Sequence, residues 1–449
     1  MRYGVVTSLA ASDCEGISLR RDHEIKYLHI SAGGDNRTAG ADLQGILEQV
    51  AEQGVELNKL AFDLLVIAVS AFAADVRISR AKNAEDGFSR EIDLYVPVSD
   101  PDKWGGVTQL LCQMLGFLSG DIWRFYFRSA TSSPTLPDID EPLEANFGKV
   151  CLFSGGLDSY VGAIDLYSAG EQPILVSHYA DGSASQPQKA CHAELEKNFG
   201  AIRRLAAYLP VASTAVASER EDTQRTRSFL FLALATIVAA GRGEPTQIVV
   251  PENGLIALNV PLDPLRIGAL STHTTHPFFL GRFSELMTIL GLDITLVNPY
   301  EFDTKGEMLQ KCQDRKVLLS AAFETVSCSH YTQGRWAGAK PGHCGYCVPC
   351  IIRRASFKAA SIKDQTPYRL DELKSQEFKA HLAKGRDIRS FKIAAKRLKN
   401  DPALSSILIH KAGPLYDRMA DLDRFADVYQ RGIAEVERLL KTVKTVGAP

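Results

Sequence analysis

The stretch VCLFSGGLDSYVGA, residues 150–163, limits what this chain can fold into more than any other. A short apolar strand runs to Phe153, Ser154-Gly155-Gly156 turns the chain, and a helix opens near Asp158. Two glycines let the backbone come close to a ligand with its amides turned inward. The helix that follows points its positive end at the same spot. Ser154 and Ser159 add hydroxyl donors. Together these make an anion cradle, and phosphate is its natural guest. The stretch is neither a GxxxxGK[ST] loop nor GxGxxG. Glycine turns between strand and helix are common without any ligand, so the turn alone does not decide.

Around this unit the pattern alternates. KVCLF, PILVS (residues 173–177), QIVVP (247–251) and DITLV (293–297) read as strands. Helical stretches are expected over residues 158–169, 188–209 and 227–240. Such alternation predicts an α/β fold, a parallel sheet covered by helices on both faces. Ligands of that architecture sit at the carboxyl ends of the strands.

Residues 1–128 read differently, as an accessory α+β domain. A buried helix is expected at 60–74, a half-buried strand at 90–98, a helix at 104–118 and an aromatic-rich strand at 122–127. Residues 129–148, rich in Pro, Ser and acidic side chains, read as a linker. Residues 358–449 read as a helical C-terminal region. Within 353–399, fourteen Lys or Arg face five Asp or Glu. That surplus fits a solvated helical face, or a docking surface for an acidic partner or nucleic acid. Nucleic acid is not expected, because no aromatic residues interleave with the charges.

The net charge of −2 carries no global field toward nucleic acid or membrane. The most apolar run, residues 64–74, is too short to span a bilayer. The amino-terminal stretch lacks the apolar core of a leader, so a cytoplasmic location is expected. Thiols stay reduced there, and an odd count of nine cysteines also fits a disulfide scaffold poorly.

Three of those cysteines stand three residues apart in HCGYCVPCIIRR: Cys344, Cys347 and Cys350. Cys328, sixteen residues upstream, supplies a fourth thiol. Four thiolates suit tetrahedral Zn²⁺, and a full shell marks a structural site. A redox CxxC leaves the third cysteine without a role. An iron–sulfur cluster and ordinary buried cysteines are the alternatives, and His330 or His343 is close enough to substitute. Arg353 and Arg354 are expected to open the basic helical tail.

SGGLDS after an apolar strand resembles the SGGxDS signature of the PP-loop ATP pyrophosphatases, within the adenine nucleotide α-hydrolase-like superfamily of Rossmann-like folds. The resemblance implies that Ser154, Gly155, Gly156, Leu157, Asp158 and Ser159, with Ser177, bind ATP, and that Asp158 helps place Mg²⁺. TKGE at residues 304–307 is similar to that family's TKxE, which implies that Lys305 lies near the phosphates and stabilises the leaving pyrophosphate. Read without the family, Thr304 and Glu307 have the spacing of a capping box. Asp158 and Lys305 are thus the expected catalytic pair.

PP-loop, TKxE and then Cys…CGxCxxC is the layout of 7-cyano-7-deazaguanine synthase. The resemblance covers roughly residues 149–357. It implies ATP-dependent, AMP-forming activation of the carboxylate of 7-carboxy-7-deazaguanine. It also places Arg227-Ser228 near the substrate. Glu252, Asn253, Thr275 and His276 are further candidate substrate contacts, with Thr272 and His273 in the same segment. The chain departs from the family at SHYADGS (177–183), at PENGLIALNVPL, at LSTHTTHPF (270–278), and in its length. In those departures it resembles QatC, the synthase-like component of the bacterial Qat anti-phage defence systems. Related synthase-like proteins of type IV CBASS defence join a deazaguanine to the N-terminus of a partner protein, and that resemblance implies an acceptor amine on a partner protein of the same operon. The alternatives are nitrile synthesis with ammonia, tRNA thiolation through a reactive cysteine, and a non-catalytic ATP-binding scaffold.

Overall fold

The computed structural model describes residues 2–9, 17, 23–31, 41–84, 87–131, 134, 139, 148–211, 221, 223–262, 273–333, 340–371, 373, 377–379 and 381–446. Most of the expected linker, 129–148, and Thr272 lie outside these residues.

In chain order the first half carries β1 (Arg2–Ser8), β2 (His23–Ser31), β3 (Ala41–Asp42), α1 (Gln44–Glu52), α2 (Lys59–Arg77), α3 (Arg80–Asn83), β4 (Glu91–Val98), α4 (Pro101–Gly106), α5 (Thr108–Ser119) and β5 (Ile122–Ser129). Then follow β6 (Lys149–Leu152), α6 (Leu157–Ser168), β7 (Ile174–Tyr179), α7 (Gly182–Phe199), β8 (Arg204–Tyr208), α8 (Arg227–Ala240), β9 (Thr246–Val249), α9 (Gly254–Leu258), α10 (Pro277–Leu290), β10 (Ile294–Val297), α11 (Lys305–Lys311) and α12 (Arg315–Ala321). The chain ends with α13 (Val348–Ala359), β11 (Phe378–Lys379), α14 (Ala383–Asn400), α15 (Leu404–Leu408), α16 (Leu422–Leu440) and β12 (Thr445–Val446).

Two five-stranded sheets form, ordered β3-β2-β1-β4-β5 and β10-β9-β6-β7-β8. Every pairing in both is parallel. The first sheet therefore corrects the α+β expectation for residues 1–128. Helices α4 and α5 carry the chain from β4 back to a parallel β5, so this half is α/β as well. Nor does it stand apart as an accessory domain. Helix α2 is buried along almost its whole length, and its core cluster also holds α8 and the facing side of the second sheet. An apolar helix with no polar face needs cover all round, and here it lies between the two sheets.

The second sheet is two-faced. Val150 of β6 enters the core shared with α2 and α8, whereas its neighbour Cys151 faces a second core built with α6, α7, α11 and α12. This is the period-two alternation of a strand covered on both sides. The chain runs outward from β6 through β7 to β8, then returns to the other side of β6 as β9. The carboxyl ends of β6 and β9 thus flank a topological switch point, where α/β folds open a crevice.

One expected helix is partly a strand. Residues 204–208 form the edge strand β8 within the 188–209 stretch. Its Ala- and Leu-rich sequence favours a helix, but pairing with β7 overrides that propensity. Gln49 of α1 covers the exposed edge: its Oε1 accepts the Ala206 amide at 2.9 Å, and its Nε2 donates to the Ala206 carbonyl at 3.3 Å. The C-terminal region is largely helical, as expected, and packs through its own core of α9 and α13–α16. Among the described residues no helix is long and apolar enough to cross a membrane.

Candidate active site and metal centre

The glycine turn stands at the end of β6, beside the switch point. Gly155 adopts φ 79°, and a Cβ there would lie 2.9 Å from Cγ of Gln188, so the site demands glycine. Ser154 Oγ accepts the Gly156 amide at 3.2 Å and lies 3.2 Å from Ser159 Oγ, which in turn donates to the Gly156 carbonyl at 3.0 Å. Ser154 and Ser159 both line a cleft of about 580 Å³. Leu157 is buried in the second core, so its side chain is structural. Ser177 corrects another expectation. Its buried hydroxyl donates to the Phe153 carbonyl at 2.7 Å and fixes β7 to the turn, rather than lining the cleft.

Beneath the turn, Asp158 and Lys305 meet across 147 residues of sequence, with Nζ 2.5 Å from Oδ1. Both are almost fully buried. Thr304 caps α11 in a complete capping box: its side chain accepts the Glu307 amide, and Glu307 accepts the Thr304 amide. The other Asp158 oxygen, Oδ2, accepts Asn253 Nδ2 at 2.7 Å and the Asn253 amide at 3.2 Å. Burial alone would raise the Asp158 carboxyl, but the Lys305 charge and these hydrogen bonds hold it below the usual carboxylate range. Glu252, at the end of β9, goes the other way: burial first, then the Asp158 charge, push it well above its ordinary value. Glu252 faces the cleft. Asn253 does not. It is fully buried, caps α9 through its Oδ1 and bridges Asp158 to Glu252, so the expected substrate contact is a buckle between two carboxyls.

One wall of the cleft comes from α8. Arg227 donates from Nε to His178 Nδ1 at 3.3 Å and from Nη2 to the His178 carbonyl at 3.1 Å, with its guanidinium over the Phe231 ring. Burial, then the nearby guanidinium, push His178 down to about 3, so it stays a neutral acceptor. Beside it the Ser228 hydroxyl is buried with no partner among the described residues. On the opposite wall, Thr275 likewise has a buried, unpartnered hydroxyl. His276 is not in the cleft. It caps α10, its Nδ1 accepting the Phe278 amide at 3.2 Å, and it packs with His273 against Phe117. Burial pushes His276 to about 3 and His273 to about 4, which leaves neither charged at neutral pH.

The four cysteines come together. Their Sγ atoms all lie within 4.8 Å of one another, with Cys328–Cys347 and Cys344–Cys350 both at 3.9 Å. A tetrahedron of ~2.3 Å Zn–S bonds places its sulfurs about 3.8 Å apart, so the set fits a metal such as zinc. Backbone amides of His330 and Cys344 donate to Cys328 Sγ at 3.3 and 3.2 Å, as thiolate ligands require. His330 and His343 are not needed in the set. His343 Nε2 instead accepts the Ser327 amide. Arg353 also differs from expectation. It is fully buried, donating to Thr366, Thr325 and the Ala322 carbonyl, and so braces the cysteine lobe rather than opening a basic surface.

The cluster lies against the cleft. Val326, Ser327, Cys328 and Tyr331 form a wall that sequence reasoning missed. The Val326 amide donates to the Gly155 carbonyl at 2.9 Å, which ties the cysteine lobe to the glycine turn. No local signal reveals that contact. Outside the cluster, burial pushes Cys112 up to about 11 and Cys151, Cys191 and Cys312 up to about 12. No family model matches the chain, and no curated protein matches it.

Proposed function

We propose that the chain is an ATP-dependent, AMP-forming ligase of the 7-cyano-7-deazaguanine synthase type, in the manner of the Qat component it resembles. It activates the carboxylate of 7-carboxy-7-deazaguanine and passes the acyl group to an amine, that of a partner protein encoded in the same defence operon. The observation that carries the reading is the Lys305–Asp158 pair set beneath a glycine turn at the switch point.

The chemistry balances without a protein nucleophile. A substrate carboxylate oxygen attacks the α-phosphorus of ATP, and the bond to pyrophosphate breaks. The amine then attacks the acyl carbon, AMP leaves and the amine loses its proton. Ser154, Ser159 and the turn amides hold phosphate oxygens, while Lys305 meets the charge that grows on the leaving pyrophosphate. Arg227 suits the substrate carboxylate. Glu252, whose carboxyl burial and the Asp158 charge raise well above its ordinary value, offers both a donor and an acceptor to the edge of a heterocycle when it carries its proton. The buried hydroxyls of Ser228 and Thr275 await polar partners on the ligand.

Asp158 has both oxygens engaged, one by an ammonium, so its surroundings do not fit a magnesium ion. The four cysteines would hold Zn²⁺ as a closed structural site. Thiolation is the weaker reading, because it needs a reactive thiol and the cysteines outside the cluster described here are pushed toward the inert thiol form.

The test is release of AMP and pyrophosphate by the purified protein with ATP, 7-carboxy-7-deazaguanine and candidate amines, followed by intact mass spectrometry of co-expressed operon products. Wild type should turn over only with the acid present, and Asp158→Ala and Lys305→Ala should not. An enzyme that never consumes ATP with that acid would falsify the assignment. Nitrile formation with an unmodified partner would replace conjugation by the ammonia-using reaction.

A further inference from the structure

We infer that the C-terminal helix α16 belongs to the active site, with Glu435 as a positioning residue that holds the Lys305 turn from the side opposite Asp158. The inference rests on the reading of Lys305 as a catalytic cation.

Lys305 stands at the first position of α11, a helix of only seven residues. So short a helix has little rigidity of its own. A four-carbon side chain carries any backbone shift to its ammonium, so the turn needs bracing from outside. The capping box fixes Thr304 to Glu307 but does not fix the pair in space. Glu435 does that. Its Oε1 accepts the Thr304 hydroxyl at 2.5 Å, across 131 residues, while the same hydroxyl accepts the Glu307 amide. The Gly306 amide also donates to the Glu435 carboxylate. The fit is close: a Cβ on Gly306 would stand 2.5 Å from Glu435 Oε1 and 2.8 Å from Cβ of Ala359.

One helical turn earlier on α16, Arg431 pairs with Glu307 and donates from Nη2 to the Phe302 carbonyl at 2.9 Å. The turn is therefore held at its cap, its first amides and its N3 carboxylate by one helix, and at its lysine by Asp158. Glu435 is buried, and burial raises its carboxyl above the ordinary range. Placing that acid at the N-terminus of α11, where the unpaired amides gather, offsets part of the cost.

The experiment compares Glu435→Ala, Glu435→Gln and wild type by kcat and KM for pyrophosphate release, by thermal melting, and by the rate at which an amine-reactive ester labels Lys305, read by peptide mass spectrometry. A misplacement of about 1 Å costs on the order of 100-fold in rate. Glu435→Ala should lose roughly that in kcat, with KM for ATP little changed and Lys305 labelled several-fold faster. Glu435→Gln keeps an oxygen acceptor for Thr304 and Gly306 and should recover most of the rate. Full kcat in Glu435→Ala overturns the inference. So does a loss of rate that follows the melting temperature and is not rescued by Gln. If wild type releases no pyrophosphate, the proposed reaction fails, while the labelling contrast still tests the grip on Lys305.

Discussion

Two buried clusters of charge sit on the two sides of this molecule, and they are balanced differently. In the first half, Arg80 and Arg90 meet Asp75 and Asp121. Arg90 Nη2 lies 2.7 and 2.6 Å from the two carboxylates, and Arg80 Nη2 lies 2.5 Å from Asp121. Glu221 adds a third carboxylate 3.8 Å from Arg80, the buried Arg225 adds a third guanidinium beside them, and the second Asp75 oxygen accepts the Thr226 amide at 2.9 Å, just before α8. In the second half one ammonium, Lys305, serves two carboxyls, Asp158 and Glu252, and burial with the Asp158 charge raises Glu252 well above its ordinary value. In the first cluster, none of Arg80, Arg90, Asp75 and Asp121 lines the cleft. The second opens on the cleft through Glu252. A carboxyl pushed this far from its ordinary range beside open space marks a place for a ligand.

The comparison breaks most readily on its closed side. Arg90→Ala leaves two buried carboxylates short of a partner, and we expect it to cost about 3–5 kcal/mol. In urea unfolding, stability and ligand binding should fall together, because Asp75 also holds the start of α8. If binding fell while stability held, the first cluster would not be structural. Gly155→Ala tests the open side. It forces a side chain into a left-handed conformation against Gln188, at about 1–2 kcal/mol plus the clash. ATP-analogue affinity should drop much more than the melting temperature does.

The smallest effect concerns Glu252. Its folded-state pKa lies above the unfolded one, so the folded protein binds the extra proton, and the stability this brings fades as pH rises through the folded value. Melting temperature should therefore fall from mildly acidic to neutral pH in wild type, and less steeply in Glu252→Gln. Equal slopes would mean that Glu252 is not held protonated.

What could be read in the sequence was local. The strand–glycine–helix unit, the capping box at Thr304 and the cysteine spacing each lie within a few residues, where turn geometry and ligand chemistry fix the outcome. What could not be read depends on distant partners. Ser177 has the residue type for a ligand contact, yet its hydroxyl donates to the Phe153 carbonyl. His276 and Asn253 are polar and follow strands or loops, yet each spends its side chain capping a helix. Residues 204–208 look helical until β7 pairs with them. Helix α2 was legible as buried, but nothing in it says that its cover is helix α8 on one side and the first sheet on the other.

The hydrogen bond from Val326 to Gly155 has a thermodynamic consequence. It joins the lobe that gathers the cysteines to the turn that faces the cleft. Two sites coupled through a shared contact shift one another's affinity by the same factor in both directions. A ligand resting on the glycine turn should therefore change the affinity with which the four thiols hold a metal such as zinc. The affinity of the thiols for an added metal would then report, from the far side of that wall, whether the cleft is filled.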